Sequence, residues 1–203
     1  MTFDSVAPFY DLLAQLMFGR ALIRAQQWGI EQVRLGGRVL LLGGGTGITL
    51  PSLLAQQPGH ILYVEASAAM MAKARQRTQP GAPVTFLIGT EAGIAEQEQF
   101  DCILLPFVLD IYPAETLQVQ MLPKLLSHLK PNGQLIVTDF ARPNACWQRA
   151  YMWLMLRFFT FTAGIPVQKW TNWPDALLTA GLVETRKQVF RGGQVRSGCW
   201  VRN

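Results

Sequence analysis

The densest glycine cluster lies where an apolar run ends. VLLLGGGTG, residues 39–47, sets Gly43, Gly44, Gly45 and Gly47 between a strand-like and a helix-like segment. Bare backbone there permits positive φ and lets a ligand lie against main chain with no Cβ in the way. A helix that follows aims free N–H groups and its positive dipole end at a polar or anionic group. Glu65 stands 22 positions after Gly43, at the end of the next strand-like run. A carboxylate there accepts hydrogen bonds from two ribose hydroxyls. Loop and carboxylate together predict a nucleoside-containing cofactor. The dinucleotide pattern GxGxxG fails, because Ile48 or Leu50 stands where its third glycine belongs, and the spacing is GxGxG.

Proton-transferring groups are few. Asp110, Tyr112 and Asp139 follow strand-like runs and are candidate bases, and each reads equally well as a cap or turn residue. His60 opens a strand and His128 closes a helix, which are structural places for both histidines. No HExxH, nucleophile elbow or Cys/His cluster is present, so hydrolase and metalloenzyme readings lack support and no metal is expected.

The elements that position these residues follow from periodicity. Apolar runs over 38–42, 60–66, 84–89, 100–108 and 134–140 predict five strands. Helical spacing over 48–57, 68–77 and 113–129 predicts the helices between them, with residues 130–133, KPNG, ending the last. The segment TEAGIAEQEQ makes at best a weak helix. Residues 182–190 and 194–202 flank Arg191-Gly192-Gly193, a hairpin signal, so the final pair is expected to be antiparallel. The alternation predicts an α/β fold with a largely parallel sheet. Residues 1–36, with Leu12, Leu13, Leu16 and Met17 at helical spacing, form an N-terminal helical extension to a main unit spanning 37–203.

The chain has 203 residues, half of them hydrophobic, enough for a sizeable core. Cys102, Cys146 and Cys199 are odd in number and far apart, so they read as reduced, buried thiols. The N-terminus lacks a signal-peptide pattern, and the longest apolar stretch, 151–165, is too short to span a bilayer and contains Arg157. A cytoplasmic protein is expected. The net charge of +5 is uneven: residues 1–140 hold 9 Lys/Arg against 11 Asp/Glu, and residues 141–203 hold 9 against 2. That basic end is either a solvated face or a surface for an anionic partner, such as the inner face of a membrane. Nucleic acid is disfavoured because the charges are scattered singly. The aromatic segment 146–173, including Trp147, Tyr151, Trp153, Phe158 and Phe161, is either a packed stripe or a wall for an apolar, aromatic or lipid-like substrate.

VLLLGGGTG, YVEAS, FLIGTEA, FDCILLPFVLD and LKPNGQLIVTDF together resemble the class I S-adenosylmethionine-dependent methyltransferases, over roughly residues 37–203. FDSVAPFYDLLAQLMFG and DFARP…YMWLMLRFF are similar to the ubiquinone/menaquinone-biosynthesis C-methyltransferase group. The resemblance implies a Rossmann-like, seven-stranded, mostly parallel sheet with an antiparallel C-terminal hairpin and helices on both faces. It implies S-adenosylmethionine as cofactor, S-adenosylhomocysteine as product, and a small apolar or aromatic, quinone- or lipid-like acceptor methylated by in-line displacement. Gly43, Gly44, Gly45 and Gly47 then pass beneath the methionyl part. Glu65 holds the ribose hydroxyls, and Ala66 lies near the adenine. Gly89, Thr90 and Glu91 form the adenine turn, through either the Thr90 hydroxyl or the Glu91 carboxylate. Phe107 and Val108 line the methyl-donor pocket, and Tyr10 folds over the cofactor. Leu41 departs from the pattern, because the family carries there an acidic residue for the cofactor's ammonium group; backbone carbonyls or Asp11 are the expected substitutes. That departure also motivates an alternative, a non-catalytic binding or assembly protein on the same fold. An aminopropyltransferase ranks lower, since LPFVLDIYP offers only Asp110 to hold a polyamine.

Overall fold

The computed structural model describes residues 18–141 and 172–203. Its centre is a seven-stranded sheet. The strands are β1 (Arg38–Leu42), β2 (His60–Glu65), β3 (Val84–Ile88), β4 (Phe100–Pro106), β5 (Leu129–Phe140), β6 (Leu182–Phe190) and β7 (Val195–Arg202). Their spatial order is β3-β2-β1-β4-β5-β7-β6. β1 to β5 pair in parallel, while β7 runs antiparallel to both β5 and β6. The strand order reverses between β1 and β4, which opens a crevice beyond their carboxyl ends.

Leu40 and Leu42 belong to one buried cluster, Val39 and Leu41 to the other, as the twofold periodicity of a strand requires. On the Leu41 face pack α1 (Ala21–Ile30), α2 (Leu50–Ala55) and α3 (Ala68–Gln76). The helix α1 approaches closely: a Cβ on Gly29 would sit 3.0 Å from Ile136 Cγ2, and the Ser197 hydroxyl donates to the Ala25 carbonyl at 2.8 Å. The opposite face is covered by α5 (Trp173–Thr179) and by α4, which runs from Ala114–Thr116 through a π-turn at Leu117–Met121 into Leu122–Ser127. The π-turn lies just before Pro123, whose ring in regular α geometry would strike the Val119 carbonyl.

The parallel sheet, the helices on both faces and the antiparallel hairpin are as expected from the sequence, and the Arg191–Gly193 turn joins β6 to β7. Boundaries differ at β4 and β5. β4 ends at Pro106 instead of Val108, because Phe107 turns to a left-handed φ of 56°. β5 begins at Leu129, paired with Phe100, and residues 130–133 bow out before Gln134 meets Cys102; the expected helix-ending turn is absorbed into the strand as an irregularity. The segment after β3 forms only a 3₁₀ turn, Glu91–Gly93, capped by the Thr90 hydroxyl. Cys102 and Cys199 are buried free thiols, and burial pushes both upward, Cys199 to about 11. Both histidines have structural partners: His128 Nδ1 sits 2.8 Å from the Glu98 carbonyl, and His60 Nε2 2.9 Å from the Thr85 hydroxyl. Among the described residues no helix is long and apolar enough to cross a membrane.

Candidate functional site

A cavity of about 420 Å³ lies beyond the carboxyl ends of β1 and β4, within the size range of small-molecule sites. Ten of the cofactor-binding residues singled out in the sequence share its wall. Gly43, Gly44 and Gly45 leave β1, Glu65 and Ala66 end β2, Gly89, Thr90 and Glu91 follow β3, and Phe107 and Val108 follow β4. Gly47 is not part of the wall, and Tyr10 and Asp11 lie outside the described residues. Of the candidate bases only Tyr112 reaches the cavity; Asp110 and Asp139 stand behind it.

The glycines have separate reasons to lack a side chain. Gly43, Gly45 and Gly47 take φ of 74°, 61° and 72°. A Cβ on Gly43 would lie 2.4 Å from Val108 Cγ2, one on Gly44 2.4 Å from Tyr63 Cζ, and one on Gly47 2.8 Å from Ala74 Cβ. Those three approach the protein's own packing. At Gly45 a Cβ would meet only Met70 Sδ at 3.9 Å, and at Gly89 nothing within 4 Å, so these two present bare backbone to open space.

Neighbouring side chains hold the loop in this shape. The Gly45 amide donates to Glu65 Oε2 at 2.9 Å, and the Tyr63 hydroxyl donates to the Gly45 carbonyl at 2.9 Å. Arg77 Nη1 donates to both the carbonyl and the hydroxyl of Thr46 at 2.8 Å. Gly47 N–H closes on the Gly44 carbonyl, and Leu50 N–H on the Gly47 carbonyl. The Gly47 and Leu50 amides thus close turns within the loop. The helix itself is shorter than expected, beginning at Leu50 rather than Ile48.

Two carboxylates face the cavity in different states. Glu65 is buried, and its Oε1 accepts from Ser67 N–H at 2.9 Å, so two amides fix its plane. Glu91 Oε2 is buried and finds no hydrogen-bond partner among the described residues. Such an atom calls for a donor, and the cavity is where one would come from. The Thr90 hydroxyl is engaged by Ala92 N–H at 3.3 Å. Burial, and then the Glu91 charge, push the Tyr112 phenol upward, which favours its protonated, hydrogen-bond-donating form. Bare glycine backbone, a fixed carboxylate and an unpartnered carboxylate oxygen around one cavity fit a nucleoside carrying hydroxyls and an amine.

Leu41 is buried in the cluster on the α1–α3 face and takes no part in the cavity wall. Sequence reasoning missed Gln26, Thr46, Ile48, Met70, Ile111 and Thr116, which also line it. Gln26 comes from α1, and its Oε1 accepts from the Thr49 hydroxyl at 3.0 Å. A polar residue on the apolar-patterned α1 was the signal available for it. Ile111 and Thr116 carried none, since their place depends on where α4 docks.

The comparisons with known proteins agree with this geometry. A family profile described as a methyltransferase domain matches residues 39–133. The ubiquinone/menaquinone biosynthesis C-methyltransferase of Vibrio cholerae serotype O1 is 30% identical over 149 residues, covering 70% of this chain and 56% of the relative. The chain thus spans little more than half the length of that relative. Among solved structures, the mitomycin 7-O-methyltransferase superposes with a TM-score of 0.71 at 21% identity, covering 100% of this chain and 61% of the other. The magnesium protoporphyrin IX methyltransferase of Synechocystis PCC 6803, solved with bound S-adenosylhomocysteine, gives 0.64 at 18% identity, covering 91% and 87%. With the strand order, the glycine loop after β1 and Glu65 after β2, these matches lead to one conclusion: the chain carries a methyltransferase domain over residues 39–133, has the fold of the class I S-adenosylmethionine-dependent methyltransferases, and is loosely similar to the ubiquinone/menaquinone-biosynthesis C-methyltransferases.

Proposed function

We propose that this protein transfers a methyl group from S-adenosylmethionine to a small apolar or aromatic acceptor. The observation that carries the reading is Glu65 and Glu91 facing one cavity with the glycine loop, at the point where the strand order reverses. Glu65 would hold the ribose hydroxyls. Ala66 and Gly89 would flank the adenine, and Glu91, with its unpartnered oxygen, would accept from the adenine amine in preference to the capped Thr90. Gly43, Gly44 and Gly45 would underlie the methionyl part, and Phe107 and Val108 would wall the transferring methyl.

The bound sulfonium supplies an already activated methyl group, so the chain has chiefly to align the acceptor and exclude water. A cavity lined by Ile48, Met70, Phe107, Val108 and Ile111 suits that task and an apolar acceptor. Calorimetric titration tests the reading: S-adenosylmethionine and S-adenosylhomocysteine should both release heat with affinities on the order of micromolar, the usual range for such substrates. A folded protein giving no heat at high micromolar ligand would refute it. Leu41 supports one other reading, a protein that binds the cofactor without turnover. Methyl transfer to no acceptor in a quinone and phenol panel, with binding intact, would favour that reading.

We infer also that the outer strand β6 meets an anionic membrane surface where an apolar acceptor resides. Val183 and Val189 are exposed there beside the basic Arg186 and Lys187. The protein should co-float with vesicles containing anionic lipid and not with neutral ones. Equal behaviour on both would end this part of the reading.

A further inference from the structure

From Phe107 in the cavity wall a row of aromatic rings runs along the carboxyl edge of the sheet. The Phe107 ring lies 5.0 Å from that of Phe140, the last residue of β5, and the Phe140 ring lies 5.1 Å from that of Phe18, which precedes α1. Both pairs are tilted, at 47° and 41°, within the range of favourable aromatic contacts. The row ends on a charge: the Arg191 guanidinium carbon stands 5.1 Å from the centroid of the Phe18 ring.

The topology brings this arginine to the cavity's end of the sheet. β5 runs parallel to β4, and β7 returns antiparallel beside it, with Val195 opposite both Phe140 and Phe190. The β6–β7 turn therefore lies at the edge where β1 and β4 open the cavity. Ala141 N–H fastens it to β5 by donating to the Gln194 carbonyl at 3.0 Å. Among the described non-glycine residues only Gln57, Phe107 and Arg191 take a left-handed φ, and the last two, at 56° and 50°, stand at the two ends of the row. Such backbone persists only where its surroundings hold it, and it gathers at functional sites.

The two ends offer different chemistry. Phe107 and Phe140 are half-buried, so each leaves part of its ring to a ligand, while Phe18 is buried and supports the guanidinium. Arg191 is exposed. Stacking engages the face of a guanidinium, whereas its N–H donors lie in the plane, in a fork that matches a carboxylate. Three residues on, Gln194 is buried, and its Nε2 finds no hydrogen-bond partner among the described residues. A buried amide donor of this kind calls for an acceptor. Arg196, the next cation along β7, is instead committed to Glu184 at 2.6 Å and 2.7 Å.

We propose that Arg191 determines acceptor specificity by pairing with the carboxylate of an aromatic acid whose ring lies along Phe107 and Phe140. The role in methylation rests on the methyl-donor reading, which puts the transferring methyl at Phe107 and Val108. The acceptor class narrows accordingly, from any small aromatic to one carrying an anionic arm.

The test uses para-hydroxycinnamic acid and its methyl ester, which share a ring and an arm and differ in charge. Each is titrated by calorimetry into the protein alone and into the protein saturated with S-adenosylhomocysteine. The acid should bind at least roughly tenfold more tightly than the ester, as charge-assisted hydrogen bonds imply. Arg191→Asn removes the charge with a residue that tolerates left-handed backbone, and acid and ester should then bind within about threefold of each other. Arg191→Lys, charged but without the fork, should keep only part of the preference. Phe140→Leu should weaken acid and ester alike, by about two- to tenfold, and leave their ratio unchanged. Equal affinities in the unaltered protein, an acid preference that survives Arg191→Asn, no loss from Phe140→Leu, or no binding of either probe in either state would overturn the proposal. Affinity for S-adenosylhomocysteine is measured on the same samples. Its absence would remove the methyl-donor reading, while the acid–ester ratio and its loss in Arg191→Asn still decide whether Arg191 reads the charge.

Discussion

Glu65→Ala should weaken S-adenosylhomocysteine binding by two to four orders of magnitude, the largest loss expected of any single substitution here. Hydrogen bonds to a charged group are worth about 1.5–3 kcal/mol each, and two from ribose hydroxyls to this carboxylate give about 3–6 kcal/mol. The same substitution strips acceptors from the Gly45 and Ser67 amides, so the loop loses one of its supports along with the ligand contact. Glu65→Gln separates the two effects. It keeps one amide acceptor and the side-chain shape but turns the other oxygen into a donor, so it should lose about half the free energy of the alanine variant. Calorimetry on both, with circular dichroism to confirm the fold, provides the measurement. Affinities within threefold of the unaltered protein would remove Glu65 from the site.

Gly43→Ala should produce the second large effect, on stability and binding together. The new Cβ lands 2.4 Å from Val108 Cγ2 while the backbone sits at a φ of 74°. Overpacking of that kind costs about 1–3 kcal/mol, and left-handed backbone at a residue with a Cβ adds about 1–2 kcal/mol. At about 2–4 °C per kcal/mol for a chain of this size, the melting temperature should fall by roughly 4–20 °C. Adding Val108→Ala opens room for the methyl but leaves the φ penalty. Gly43→Ala should therefore cost less in the Val108→Ala background than alone, but still a measurable amount, as a thermal-melt cycle would show. Full recovery would mean the loop readily abandons its left-handed geometry, and with it the close approach of main chain to the cavity.

Much of the molecule was legible because it rests on local chemistry. Continuous apolar runs marked the buried strands, and Glu65 could be placed by counting from Gly43, since β1 and β2 are adjacent and in parallel register. What escaped depended on tertiary docking. The reach of Gln26 into the cavity depends on how α1 lies across the sheet, and the end of β4 at Pro106 on Phe107 being bound to β5. The glycine loop was half-read. Its residues were identified, but Gly43, Gly44 and Gly47 are bare because Val108, Tyr63 and Ala74 press against them, and no sequence pattern names those neighbours. Tyr112 shows the same limit: its place in the chain made it a candidate base, and the burial and the nearby Glu91 that favour its protonated form come only from packing.

The bracing of residues 44–47 by Tyr63, Glu65, Arg77 and the turn amides bears on the leucine at position 41. A ligand that meets a loop already in its final shape does not have to order it, and ordering is among the main entropic penalties of association. A braced loop of this kind favours binding through entropy, with no contribution from the buried Leu41. The balance shifts what temperature does. Cofactor binding to this protein should carry a smaller favourable enthalpy and a smaller entropic penalty than in relatives with the carboxylate, and should weaken less on warming.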